Sequence, residues 1–211
     1  MTTGTVKKIG LMLLTNVRAS HLYVYETYTG KPTPQNPNPI PLHKGNFLMD
    51  ATHPDLPRVA QMIEAVGSAH KWQGGLTWEV VKASLSATNM LCLKRGDVAC
   101  PGDPVYAGLF FVKASNKKDV AIYNGDRSIW KPGDRRVYSG AYVNATIDIW
   151  AQDNGWGRRI NATLTGVQFV RDGTAFGGGA APATPEEFPV VAMSADAPPP
   201  AAGADPLAGL V

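Results

Sequence analysis

The 211-residue sequence predicts a mainly β domain, a small barrel or sandwich with one main helix packed on it. Three observations carry the prediction. Short runs with strand alternation crowd the stretch from 105 to 173 and are broken by turns rich in Gly, Asn and Asp. A single stretch has firm helical periodicity, and strands and helices do not alternate as parallel βαβ units require.

The elements follow in order. NVRASHLYVYET, residues 16–27, reads as the first strand. The stretch 29–46 holds Pro32, Pro34, Pro37, Pro39 and Pro41, and is expected to be a long proline-rich loop, because each proline fixes φ and removes a backbone donor. FLMDATHPDLPRVAQMIEAVGSAHKW then runs from a strand end through a turn into the helix. Pro57 suits the first helical turn, where the missing N–H would have no intrahelical partner, and Val59, Met62, Ile63 and Val66 recur at helical spacing, with Gly67 as the stop. Trp78 to Ala83 is a candidate second, short helix. VYAGLFFVKASNKKDVAIYN offers strands near 105–114 and 119–123 around the polar turn SNKK. GDRSIWKPGDRR is loop, marked by Pro132 and Gly133. A strand from Val137, the turn DNGWGRR and a last strand INATLTGVQFVRDG complete the domain.

From Thr174 onward Gly, Ala and Pro dominate and no period survives. Residues 1–173 are therefore the expected folded domain, and 174–211 a flexible, mildly acidic tail, disordered because it cannot bury enough apolar surface to offset its ordering entropy. Residues 1–173 hold all 20 Lys and Arg against 13 acids, a balance of +7, and the tail carries −4. A basic body with an acidic tail points to a polyanion as partner. No run approaches the roughly 18 apolar residues that span a bilayer, and no secretion signal is present, so a soluble intracellular protein without membrane contact is expected.

Catalytic chemistry finds no constellation. His21, His43, His53 and His70 are scattered without metal-ligand spacing, and Cys92 and Cys100, separated by LKRGDVA, read as unpaired thiols. Neither a G-x-S-x-G elbow nor a phosphate-binding P-loop occurs, and Asp97, Asp103, Asp119, Asp126 and Asp134 belong mostly to turns, where Asp bonds its own backbone. The expectation is a binding protein and not an enzyme, with no metal and no cofactor.

The strand from Val137 is the most informative stretch. Side chains alternate between faces, so Val137, Ser139, Ala141, Val143, Ala145, Ile147, Ile149 and Ala151 face the core. The other face carries Tyr138, Gly140, Tyr142, Asn144, Thr146, Asp148, Trp150 and Gln152. Gly140 leaves room there for a ligand or another backbone. Rings interleaved with polar groups and edged by cations suit single-stranded nucleic acid, whose bases stack on aromatics for about 1–3 kcal/mol each and whose phosphates need positive neighbours. The candidate stacking residues are Tyr138, Tyr142 and Trp150, with Tyr123, Trp130 and Trp156 behind them. The candidate phosphate contacts are Lys113, Lys117, Lys118, Arg127, Arg135, Arg136, Arg158 and Arg159. Parity and composition equally allow the rings to pack beneath a loop or the helix, because aromatics also favour strands for packing reasons.

A resemblance bears on that choice. Tyr138-Ser139-Gly140, Tyr142-Val143-Asn144-Ala145, Leu164, Val167-Gln168-Phe169, Arg171-Asp172-Gly173 and Phe176-Gly177-Gly178 stand in the order of a bacteriophage single-stranded DNA-binding protein family with an OB-like fold. LKRGD, YAGLFFVKASNKK and HPDLPRVAQMIEAV resemble it upstream, so the likeness spans roughly residues 17 to 180. The resemblance implies an OB-like five-stranded barrel that binds and protects single-stranded DNA without sequence preference during phage replication, recombination or repair, in the cytoplasm of the infected bacterium. Thr174 stands where that family commonly has an acid, and the tail lacks a densely acidic, aromatic-tipped end, which bears on recruitment of replication or recombination proteins through the tail. The alternative is a virion or scaffold β-domain whose aromatic face is a protein interface.

Overall fold

The computed structural model describes residues 9–33, 36–131 and 136–176. The described residues belong to one compact unit. The expected flexible tail beyond residue 176, and Arg135, lie outside the described residues.

The elements are β1 (Leu11–Tyr28), β2 (Leu42–Met49), α1 (Asp55–Ala69), α2 (Trp78–Ala87), β3 (Leu93–Arg95), α3 (Gly96–Ala99), β4 (Phe110–Asn116), β5 (Ala121–Tyr123), β6 (Tyr142–Asn154) and β7 (Gly157–Arg171). Strands β4, β2, β1, β6 and β7 neighbour one another in that order, all antiparallel. Ser115 of β4 then meets Thr163 of β7 in parallel, which closes the five strands into a barrel. Strand β3 extends the sheet beside β4, and β5 extends it beside β7.

The alternation read from the sequence builds the core. Val143, Ala145, Ile147 and Ile149 of β6 are buried against Leu14, Val17, Phe47, Val112 and Leu164 from the other strands. One position of β6 breaks the expected parity: Asp148 is buried, with Gly10 lying over its carboxylate. Ile149 N–H donates to the Gly10 carbonyl at 2.8 Å, and a Cβ on Gly10 would lie 2.1 Å from the Ile149 carbonyl oxygen.

Helix α1 lays Val59, Ile63 and Val66 on the barrel. Its first turn is tied to β1 by the buried Asp55 carboxylate, which accepts from Thr15 N–H at 2.7 Å and Thr15 Oγ1 at 2.9 Å and pairs with Arg58. Gly67 does not stop the helix, which runs on to Ala69; it lets the Trp78 ring approach, since a Cβ there would sit 2.5 Å from that ring. Trp78 in turn stacks on Trp72, centroids 5.8 Å apart, and opens α2, longer than the sequence suggested.

Other boundaries also differ from expectation: β1 begins at Leu11 rather than residue 16, and β4 begins at Phe110, so 105–109 is not strand. Strand β2 begins at Leu42, inside the stretch assigned to the proline-rich loop, because Pro41 is its last proline and the chain after it is free to pair with β1 and β4. Val137–Ala141 is not strand; β6 starts at Tyr142, where pairing with both β1 and β7 becomes available.

Candidate nucleic-acid interface

Two hollows on the outer wall of the barrel share Asn89, Lys94 and Lys113 and so form one groove. The first, about 350 Å³, lies over β1, β2 and β4 and is lined by His21, Lys44, Asn46 and Phe111. The second, about 540 Å³, lies between the 89–94 segment and the β6–β7 hairpin and is lined by Ser115, Trp150, Gln152, Arg159 and Asn161. Asn36 and Leu42 bound it on the side of the proline-rich loop.

The groove is electrostatically one-sided. Lys44, Lys94, Lys113 and Arg159 line it, and among the described residues no carboxylate does. Among the described residues none of these four forms an ion pair with an acid. Burial lowers the Lys44 and Lys94 ammonium pKa values, and repulsion from Lys113 lowers both further, with Arg159 adding to the effect on Lys94. Uncompensated cations at short range raise the free energy of the empty groove, and an incoming polyanion relieves them.

Rings accompany the charges. Trp150 is 41% exposed, with its Nε1 donating to Thr163 Oγ1 at 3.0 Å. Tyr23 and Tyr28 pack against each other with centroids 4.8 Å apart, and Lys44 Nζ stands 3.4 Å from the Tyr28 centroid. Trp156 is 78% exposed at the tip of the β6–β7 hairpin.

Of the residues singled out from sequence, Lys113, Trp150 and Arg159 thus share this groove. The others are dispersed. Arg158 donates to the Gln73 carbonyl and pairs with Asp153, fixing the hairpin to the 73–75 turn. Lys117 and Lys118 are exposed in the β4–β5 turn, and Arg136 is exposed before β6. Trp130 packs its ring at a tilt against Tyr25, centroids 4.7 Å apart, and lies against the core. Tyr123 and Arg127 line a different hollow, of about 300 Å³, with Leu13, Asn144 and Gln168.

Tyr142 lies at the opposite end of β6 from Trp150, some eight residues or about 26 Å along the strand, and Tyr138 lies just before it. There the chain folds over itself. The Tyr138 hydroxyl donates to the Gly173 carbonyl at 2.9 Å, and the Phe176 amide donates to the Ser139 carbonyl at 2.8 Å. Arg171 stands 3.3 Å over the Tyr142 ring, and Arg18 stands 4.1 Å over Phe176. The room left by Gly140 is taken by the backbone of 174–175, to which a Cβ would come within 2.2 Å.

Sequence reasoning missed Lys44, Lys94, Tyr23 and Tyr28. The alternation of His43, Gly45 and Phe47 inward against Lys44 and Asn46 outward was a readable signal for Lys44; the tyrosines had none, because irregular pairing with β2 brings them together.

A five-strand barrel closed by a parallel contact between its third and last barrel strands, with a groove across the second and third, is an OB-type barrel, a class whose corresponding face takes oligonucleotides and oligosaccharides. The family model described as Enterobacter phage Enc34, ssDNA-binding protein, matches residues 11–197. The chain belongs to that family. It is 34% identical over 158 residues to the p50 protein of Acyrthosiphon pisum secondary endosymbiont phage 1, covering 72% of this chain and 80% of that one. The solved single-stranded DNA-binding protein of bacteriophage Enc34 in complex with ssDNA superposes with a TM-score of 0.66 at 26% identity, over 80% of this chain and 90% of that one. A second structure of the Enc34 protein gives a TM-score of 0.61 at 27% identity, over 82% of this chain and 87% of that one.

Proposed function

We propose that this chain binds and protects single-stranded DNA without sequence preference and without catalysis, during phage DNA replication, recombination or repair in the cytoplasm of the infected bacterium. The observation that carries the proposal is the groove lined by Lys44, Lys94, Lys113, Arg159 and Trp150, with no carboxylate among its described lining residues and with the Tyr23–Tyr28 pair against Lys44. A groove that offers both cations and an aromatic ring binds any sequence, because every base offers a π-face and every linkage a charge. Membership of the Enc34 family, and the ssDNA complex of the Enc34 protein, support the same reading.

Within it, Trp150 stacks a base in the groove, Trp156 extends the stacking surface at the hairpin tip, and Lys113, Lys94, Lys44 and Arg159 carry the phosphates. Tyr123, Arg127 and Arg136 lie off the groove; Tyr138 and Tyr142 are held by the chain that follows β7.

Tryptophan fluorescence titrated with oligo-dT, beside duplex DNA of equal length, tests the function. Single-stranded DNA quenches the emission and duplex does not. Trp150→Ala weakens single-strand binding roughly tenfold, the lower to middle part of the range for one lost base stack. Equal binding of duplex, or no loss on Trp150→Ala and Lys113→Ala together, would overturn the assignment of the groove.

A further inference from the structure

His21 stands in this groove in a backbone conformation that few residues adopt. It lies at the irregularity of β1 between Ser20 and Tyr23 with φ +47°, in the left-handed region, and this swings the side chain outward over β2 and β4. The ring is exposed, but one edge of it is fixed. Nδ1 lies 2.8 Å from the hydroxyl of the fully buried Tyr106 and 3.0 Å from Ser20 Oγ. The same Tyr106 oxygen accepts from Asn46 Nδ2 at 2.7 Å and reaches Ser20 Oγ at 3.0 Å.

This arrangement serves both charge states of the imidazole. In the neutral ring Nδ1 accepts a hydroxyl proton, from Tyr106 or from Ser20, and the ring proton sits on Nε2. In the charged ring Nδ1–H donates to Tyr106, whose own proton turns to Ser20 Oγ. No buried partner is lost in either state, and Nε2–H remains a donor toward the groove. Protonation therefore adds a charge to that donor without disturbing the wall behind it.

The groups facing His21 are Lys44 from β2, Lys94 from β3, Lys113 from β4, and Tyr106 and Cys100 from the segment after α3; Asp103 of that segment acts on Tyr106 and Cys100 but does not line the hollow. A phosphate bound beside the ring favours its charged form and accepts a charge-assisted hydrogen bond from it.

We propose that His21 is a proton-linked phosphate contact, so that single-stranded DNA entering the groove takes up a proton on its imidazole. The inference rests on the groove being the DNA site. Because the complex holds more protons than its separated components, affinity rises as pH falls through the range in which histidine titrates.

The test is oligo-dT binding by fluorescence anisotropy at constant ionic strength, with wild type, His21→Asn, His21→Gln, Lys113→Ala and Lys94→Ala. Asn suits a left-handed backbone, so His21→Asn removes the titrating group with little strain. Wild type binds roughly five-fold tighter at about pH 6 than at about pH 8, and both His21 variants lose that gain. Calorimetric titration in two buffers of different ionisation enthalpy finds proton uptake for wild type and none for His21→Asn. A full pH gain retained by both variants, with Lys113→Ala still weakening binding, would remove His21 from the linkage while leaving the groove in place. Unchanged binding in both lysine variants would remove the groove and the proposal with it.

Discussion

Glu64 is bonded from two sides by helix α2. Its Oε2 accepts from Trp78 Nε1 at 2.6 Å and its Oε1 pairs with Lys82. These partners, Lys82 first and Trp78 second, hold its carboxyl below the ordinary carboxylate range. A carboxylate with a depressed folded pKa contributes stability above its unfolded value, near 4.3, and loses that contribution as pH falls through the folded value. Acid unfolding followed by circular dichroism should be shallower for Glu64→Gln than for wild type below about pH 4.3, and the two should differ by a constant amount above it. The effect is small, since the side chain is 44% exposed and solvent screens the pair. Burial acts in the other direction at Cys92, whose thiol is pushed up to about 12 and so remains unreactive near neutrality. Gly96 is constrained by space alone, since a Cβ would meet the Tyr106 carbonyl oxygen at 1.9 Å. That contact seats Tyr106, and through it His21, in the groove.

At the scale of elements, strand β6 serves two different surfaces on one outward face. Its Trp150 end opens into the groove, and its Tyr142 end is clasped by the chain leaving β7. Arg18 holds the clasp, donating from Nη2 to the Thr174 carbonyl at 2.9 Å and from Nε to the Gly140 carbonyl at 3.3 Å while covering Phe176. Arg18→Ala should lower stability by about 1–2 kcal/mol, the sum of a partly exposed cation–π contact and its hydrogen bonds. Amide exchange should locate the loss: the Phe176 amide exchanges faster in the variant, and those of Ile147 and Ile149 keep their protection. Uniformly faster exchange would mean that Arg18 supports the barrel as a whole.

For the whole molecule, barrel closure concentrates cations from β2, β3, β4 and β7 on one wall. The affinity for oligo-dT should therefore fall linearly in log–log form with salt, by about 0.7 per phosphate neutralised, and Lys113→Ala should reduce that slope by about 0.7. An unchanged slope would mean that Lys113 touches no phosphate. Much of this architecture was legible in the chain. Alternation along Val143 to Ile149 predicted the buried face of β6, the spacing of Val59, Ile63 and Val66 predicted α1, and Lys113, Trp150 and Arg159, marked out in the sequence, line one groove. These signals are local, set by the two-residue repeat of a strand and the 3.6-residue repeat of a helix. Parity told which side of β6 Tyr142 occupies, but not that Phe176 and Arg171 cover it. Nor could it place Lys44, Lys94 and Tyr28 beside Lys113, because their neighbourhood comes from the register of β2 and β3 against β4 and from the parallel contact of Ser115 with Thr163. By itself the sequence determined which residues turn outward and what chemistry they carry. Only the closed barrel decided which of them meet, because strand pairing joins segments tens of residues apart that no local period relates.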